Sequence, residues 1–185
     1  MSRKRAISKV RKVNPIFWVF CEGKTEEEYL KFLKQKYRLP IEIKTKVTGQ
    51  EISDTFIKNY LKGKLVTDFD KNYLMYDLDA VEFIPRLKAV TTGIVLGSNP
   101  CIELWFLFHY RNQMRHISTA NCIRDFKGLN RQYEKGKINS DLGKTLGSNI
   151  LQAVDRAKIF QEYSNPSSMV YKFIEELERV KTEKR

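Results

Sequence analysis

Three short apolar runs, each ending in polar or acidic residues and each followed by a helix-like pattern, constrain this chain more than any other feature. Ile16-Phe17-Trp18-Val19-Phe20-Cys21 leads into Glu22-Gly23-Lys24-Thr25-Glu26. Asn72-Tyr73-Leu74-Met75-Tyr76 leads into Asp77-Leu78-Asp79. Gly93-Ile94-Val95-Leu96-Gly97 leads into Ser98-Asn99-Pro100, with Glu103 one helical turn further. Runs of this length between turn residues suit buried strands. As neighbouring parallel strands they would gather their carboxylates at one edge of one sheet.

The intervening segments fit that arrangement. Lys24 to about Arg38 carries Tyr29, Leu30, Phe32, Leu33 and Tyr37 at helical spacing, with Thr25 and Glu28 placed as a capping box. Residues 41–47 alternate apolar and polar, and Lys44 and Lys46 suit an edge strand. Helices are expected over about 51–62, 82–90 and 101–110, the last apolar nearly all round and therefore deeply buried. Four strand–helix alternations through residue 110 predict an α/β fold, a mostly parallel central sheet flanked by helices.

Beyond residue 116 the pattern becomes helical: a short helix over 119–127, an unassigned polar stretch over 128–144, and a helix from Leu146 to Tyr163. A closing helix is expected to start at Asn165-Pro166-Ser167-Ser168, with Asn as cap and Pro in the first turn. The organisation expected is a flexible basic arm over 1–13, an α/β core over 14–115, and a mainly helical extension over 116–185 packed on it.

Composition bears on the partner. The 185 residues carry a formal net charge of +12, and the first thirteen hold Arg3, Lys4, Arg5, Lys9, Arg11 and Lys12 with no acid. Such an excess favours polyanions through counterion release, or merely confers solubility. No apolar run approaches the ~20 residues that cross a bilayer, and the N-terminus lacks a signal-peptide core. A cytoplasmic protein with no membrane partner is expected. Cys21, Cys101 and Cys122 have neither metal-finger nor redox spacing and read as buried thiols.

The acidic ends carry the chemistry. In extended chain, residues i and i+2 point the same way, so Asp77 and Asp79 can face one ion. A hard divalent cation such as Mg²⁺ takes few protein oxygens and leaves others to water or phosphate. Asp-x-Asp also occurs in ordinary turns. Glu22 sits at a strand-to-helix junction, the usual ligand edge of an α/β sheet, where a plain helix start is the competing account. Lys24 can pair with a phosphate. Glu103 lies among apolar residues, so it is a site residue or a favourable N-terminal helix charge. Asn99 caps that helix or reaches the site. Gly23-Lys24-Thr25 and Gly143-Lys144-Thr145 are not phosphate loops, because the required earlier glycine is Trp18 in one case and Ile138 in the other. His109 and His116 lack a partner motif.

The order Glu-Gly-Lys-Thr-Glu, Asp-x-Asp, then Ser98-Asn99-Pro100-Cys101-Ile102-Glu103-Leu104-Trp105, with a late Asn165-Pro166-Ser167, resembles the RloB-like proteins over about residues 16–177. Those proteins are similar to the Toprim group of topoisomerases, primases and OLD-type nucleases. The resemblance implies a Toprim-like sheet and Mg²⁺-dependent nuclease chemistry on DNA or RNA, with Mn²⁺ able to substitute. It makes Asp77 and Asp79 metal ligands, Glu22 a proton-handling or metal-adjacent residue, and Glu103 and Asn99 auxiliary site residues. Lys24 and Lys144 would neutralise phosphate, and Arg3, Lys4 and Arg5 would hold the polymer. It also implies bacterial phage defence, a partner protein from a defence locus, and room for a homodimer. This chain has Asp77-Leu78-Asp79-Ala80 where the family often has Asp-Arg-Asp-Asp. A binding or regulatory subunit with a vestigial site, and nucleotidyl transfer, are the alternatives.

Overall fold

The computed structural model describes residues 14–183; the arm expected over 1–13, with Arg3, Lys4 and Arg5, lies outside them. Four strands, β1 (Ile16–Cys21), β2 (Glu42–Val47), β3 (Lys71–Met75) and β4 (Ile94–Val95), form one all-parallel sheet in the order β2-β1-β3-β4. Helices α1 (Lys24–Tyr37), α2 (Asp54–Leu61) and α3 (Ile84–Ala89) connect them. This is the α/β architecture the sequence predicts, consistent with a Toprim-like fold. The apolar strands β1 and β3 hold the centre, and the half-wet β2 takes an edge, where its lysines blunt further pairing.

Alternation along the strands builds two cores. Phe17, Val19, Cys21, Tyr73 and Met75 face one layer with α1; Trp18, Phe20, Leu74 and Tyr76 face the other, with Ile57 of α2 and Leu87 of α3. The first layer is the larger. It holds α4 (Ile102–Phe108), α5 (Thr119–Leu129), α6 (Ser140–Ser148), α7 (Ile150–Lys158) and α8 (Tyr171–Glu183). Every residue of α4 is buried, which explains its apolar sequence. Phe173 of α8 packs edge-on against Tyr73 at 4.9 Å and Phe17 at 6.1 Å, closing this layer over β1 and β3.

Pairing continues past β4. The Leu96 N–H donates to Leu74 O at 2.7 Å and the Ser98 N–H to Tyr76 O at 3.0 Å. The chain then forms a two-residue strand, β5 (Ser98–Asn99), antiparallel to β6 (Ser167–Ser168), with the Ser98 and Ser168 hydroxyls 2.8 Å apart. The segment leading into α4 is thus fixed by β3 on one side and a distant piece of chain on the other.

Several local expectations give way to tertiary contacts. The N-cap of α1 is Gly23, whose N–H donates to Glu26 Oε2 at 3.1 Å, so the acidic cap partner is Glu26 rather than Glu28. Thr25 instead accepts the Gly136 N–H at 3.0 Å. Pro100 lies outside α4, which is capped by Cys101. The expected helix over 146–163 is two helices broken at Asn149, whose amide donates to His109 O at 2.9 Å. Asn165 does not start the closing helix. Its side chain pairs in both directions with the backbone of Ile117, at 3.0 and 2.9 Å, and α8 begins at Tyr171.

Candidate functional site

The carboxyl ends of β1 and β3 lie side by side, with Cys21 opposite Met75, so the residues that follow them meet. Glu22 Oε2 accepts the backbone N–H of Asp77 at 3.0 Å. Asp77 Oδ1 accepts the backbone N–H of Ile102, in the first turn of α4, at 2.8 Å. Asp77 is therefore the hub joining the ends of β1, β3 and the start of α4. Glu103, next to Ile102, is fully buried. Its Oε1 accepts the Tyr133 hydroxyl at 2.7 Å and lies 3.8 Å from Lys135 Nζ, while its Oε2 has no partner among the described residues. Glu26, on the inward side of α1, is also buried.

These carboxyls feel one another. Burial pushes Asp77 well above the usual aspartate range, and the charges of Glu26, Glu103 and Glu22 push it further; only the Ile102 N–H opposes. Burial likewise raises Glu26 to about 6, with Glu22 and Glu103 adding repulsion. Glu22 is raised by burial and by Asp79, against the Asp77 N–H and the charge of Lys135. Lys135 is held more firmly protonated by Glu103 and Asp77 despite burial that opposes its charge.

The residues singled out in the sequence are not equivalent. Glu22, Asp77 and Glu103 come together. Asp79 is exposed, close enough to repel Glu22, and its Oδ2 accepts the Thr119 hydroxyl at 2.9 Å. Pairing runs on past Met75 to the bridge between Asp77 and Ser98, with Leu74, Tyr76 and Leu78 on one core face, but Asp79 lies beyond it and turns to Thr119, so Asp77 and Asp79 do not share one environment. Lys24 is exposed beside this edge, with its stem against Gly136. Asn99 donates to Tyr163 O at 3.0 Å and acts as a tie between loops. Lys144, exposed on the outer side of α6, pairs with Asp141 at 3.4 Å.

Sequence reasoning left out Glu26, Tyr133 and Lys135. Glu26 was visible as the third residue after Gly23. Tyr133 and Lys135 sit in the polar 130–138 stretch, which has no periodicity to place it. It straps the edge through Tyr133–Glu103 and Gly136–Thr25.

The donor set suits a hard cation. It is all carboxylate, its members repel one another, and Glu22, Glu26 and Asp77 each have one oxygen held by a backbone N–H and another left over. Among the described residues no three acidic, histidine or cysteine groups stand close enough to hold a metal ion unaided. Mg²⁺ does not require such a cage, because it commonly uses one or two carboxylates and completes its shell with water and phosphate.

A parallel α/β sheet with a carboxylate cluster at the carboxyl ends of its central strands defines the class of protein. The chain belongs to the RloB-like protein family, whose model matches residues 17–177. No curated protein and no solved structure matches it. Among the described residues no helix is long and apolar enough to cross a membrane.

Proposed function

We propose that the chain is a Mg²⁺-dependent nuclease of the RloB and Toprim type, cleaving DNA or RNA in bacterial anti-phage defence. The observation that carries this reading is the gathering of Glu22, Glu26, Asp77 and Glu103 at one sheet edge, with Lys135 as the one cation that their fields reach among the described residues. In a chain of net charge +12, an uncompensated acidic cluster works against the overall attraction for phosphate unless a cation sits between the two.

Glu22 and Asp77 are the ligands proposed for the ion, with Asp79 at its exposed side. When bound, Mg²⁺ would polarise the scissile phosphate and lower the pKa of its water. Glu22 Oε2 is occupied by the Asp77 N–H, which leaves Oε1 to accept and pass on a proton. Burial holds the Glu22 carboxyl above its ordinary range, the direction that favours a proton-handling group. Lys24 is placed to meet a phosphate at the same edge. Lys144 and the basic arm with Arg3, Lys4 and Arg5 are proposed to hold the polymer further away. A protein encoded in the same defence locus, and a second copy of this chain, are the proposed protein partners.

Cleavage of plasmid DNA, oligonucleotides and tRNA, with Mg²⁺, Mn²⁺ or EDTA, tests the proposal against Asp77→Asn. Asparagine can still accept the Ile102 N–H, so the variant folds while losing the charge. Equal cleavage by both proteins would sink the assignment. One observation favours a second reading, a binding subunit with a vestigial site: Glu22, Glu26 and Asp77 are each already bonded to backbone. Nucleic-acid binding with a melting temperature indifferent to Mg²⁺ and Mn²⁺ would decide for it.

A further inference from the structure

On the opposite face of β1 from α8, an open cavity of about 470 Å³ lies between β2 and the end of α2. Trp18, Lys44, Tyr60, Lys64, Leu65 and Thr67 form most of its wall. Trp18 is only 3% exposed, yet its Nε1–H donates to nothing among the described residues. A buried indole N–H ordinarily finds an acceptor. Two ammonium groups crowd the same ring, with Lys44 Nζ 4.8 Å and Lys64 Nζ 5.8 Å from its centroid; Lys64 is also 3.7 Å from the Tyr60 ring.

The charges there are incompletely matched. Lys44 has Glu42 at 3.5 Å, and the Lys64 ammonium, besides facing the two rings, has the Tyr60 carbonyl as its one hydrogen-bond partner among the described residues. Asp70, also at the wall, is engaged by the Ile16 N–H at 2.9 Å and by the Thr67 N–H and hydroxyl at 3.2 and 2.9 Å. Lys46, Lys58 and Lys62 are exposed on the flanking β2 and α2 segments. Residues 1–13 carry basic charges and no acid, so this chain's own arm is repelled as an occupant. What fits is an anion with an attached flat or apolar group, the first for the lysines and the second for Leu65 and Tyr60.

We propose that this cavity is a nucleotide-binding subsite, taking phosphate between Lys44 and Lys64 and the base against Tyr60 and Leu65. The nucleotide is either free or one unit of a single strand. The subsite does not depend on cleavage: it lies four residues before Glu22 along β1, about 13 Å away.

Titration of the full chain in EDTA, following tryptophan fluorescence, tests this. Trp105, the other tryptophan, is fully buried and bonded to the Tyr29 hydroxyl, so Trp18 is the reporter. The ligands are a short oligothymidylate, AMP, and inorganic phosphate. Saturation by AMP identifies a free nucleotide, and saturation by the oligonucleotide alone identifies a strand unit. The Lys44→Gln/Lys64→Gln variant should weaken binding on the order of tenfold. For the oligonucleotide, its log–log salt slope should be shallower by about 0.7, the loss of one single-strand phosphate contact. Lys44→Arg/Lys64→Arg should restore most of both. Lys34→Gln/Lys127→Gln, two exposed lysines elsewhere, should bind as wild type. Equal weakening in both glutamine variants, no fluorescence change with any nucleotide, or phosphate alone acting as well as AMP would each overturn the proposal. Intact binding without cleavage would instead count only against the nuclease reading.

Discussion

Asp77 donates its backbone N–H to Glu22 Oε2 at 3.0 Å and accepts the Ile102 N–H on its own Oδ1 at 2.8 Å. One residue thus fixes the ends of two strands and the start of a helix, so its charge and its acceptor atom can be tested separately. Asp77→Asn keeps the acceptor for the Ile102 N–H and removes a carboxyl whose charge burial and its acidic neighbours disfavour, so at neutral pH it should be at least as stable as wild type. Asp77→Ala leaves the Ile102 N–H unpaired and should lose about 1–3 kcal/mol. Denaturant unfolding in EDTA measures both, and equal losses would show that the acceptor does not matter.

The pKa of Glu26 gives stability a definite pH dependence. The folded chain binds its proton more tightly than the unfolded one, from 4.5 to about 6. Its contribution is therefore fully present below pH 4.5 and is lost as pH rises through 6, about 2 kcal/mol in all. Glu22 and Asp77, also raised, act in the same direction. Glu26→Gln, which can still accept the Gly23 N–H, should flatten the fall between pH 4.5 and 6.5 in EDTA. A variant curve parallel to wild type would refute the assignment.

Tyr133→Phe removes the only hydroxyl bonded to buried Glu103 among the described residues. The expected loss is about 1–3 kcal/mol, because the carboxylate stays buried while its donor goes. The strap should loosen with it. Hydrogen exchange at the Gly136 amide, bonded to Thr25, should speed up more than at the central strands. Unchanged exchange there would mean that the strap is held by other contacts.

Gly97→Ala tests how tightly the second acidic segment is wedged. A Cβ at residue 97 would come within 2.6 Å of Leu78 Cδ1 and 2.9 Å of its Cγ. Leu78 is buried between Asp77 and Asp79 and its N–H donates to Ser98 O and Pro100 O, so it has little room to move. Overpacking of this kind costs about 1–3 kcal/mol. Any cleavage activity should fall with it, and a variant as stable as wild type would contradict the packing argument.

How much of this was legible in the sequence depended on the range of the interaction. The sheet was legible because apolar strands with a half-wet edge strand leave a local pattern that packing then obeys. The meeting of Glu22, Asp77 and Glu103 followed once β1 and β3 were read as neighbours. Glu26 was obscured because the cap was placed two residues late, at Thr25 instead of Gly23, although the helix start at Lys24 was read correctly. The different surroundings of Asp77 and Asp79 were hidden, since the pairing that holds Asp77 to Ser98 ends before Asp79 and the sequence gives no sign of it. Asn165-Pro166 has the form of a helix cap, but its asparagine is taken by Ile117, a contact nothing local announces.

The pairing of β5 with β6 has a consequence for the order of assembly. During synthesis the acidic edge cannot acquire its final form when β1, β3 and α4 have emerged. Ser98 and Asn99 still await Ser167 and Ser168, and the face of β1 and β3 awaits Phe173. Contacts this distant in sequence form late. A nascent chain on the ribosome, surrounded by RNA, therefore carries its carboxylates in an unfinished frame until the segment through α8 has been made.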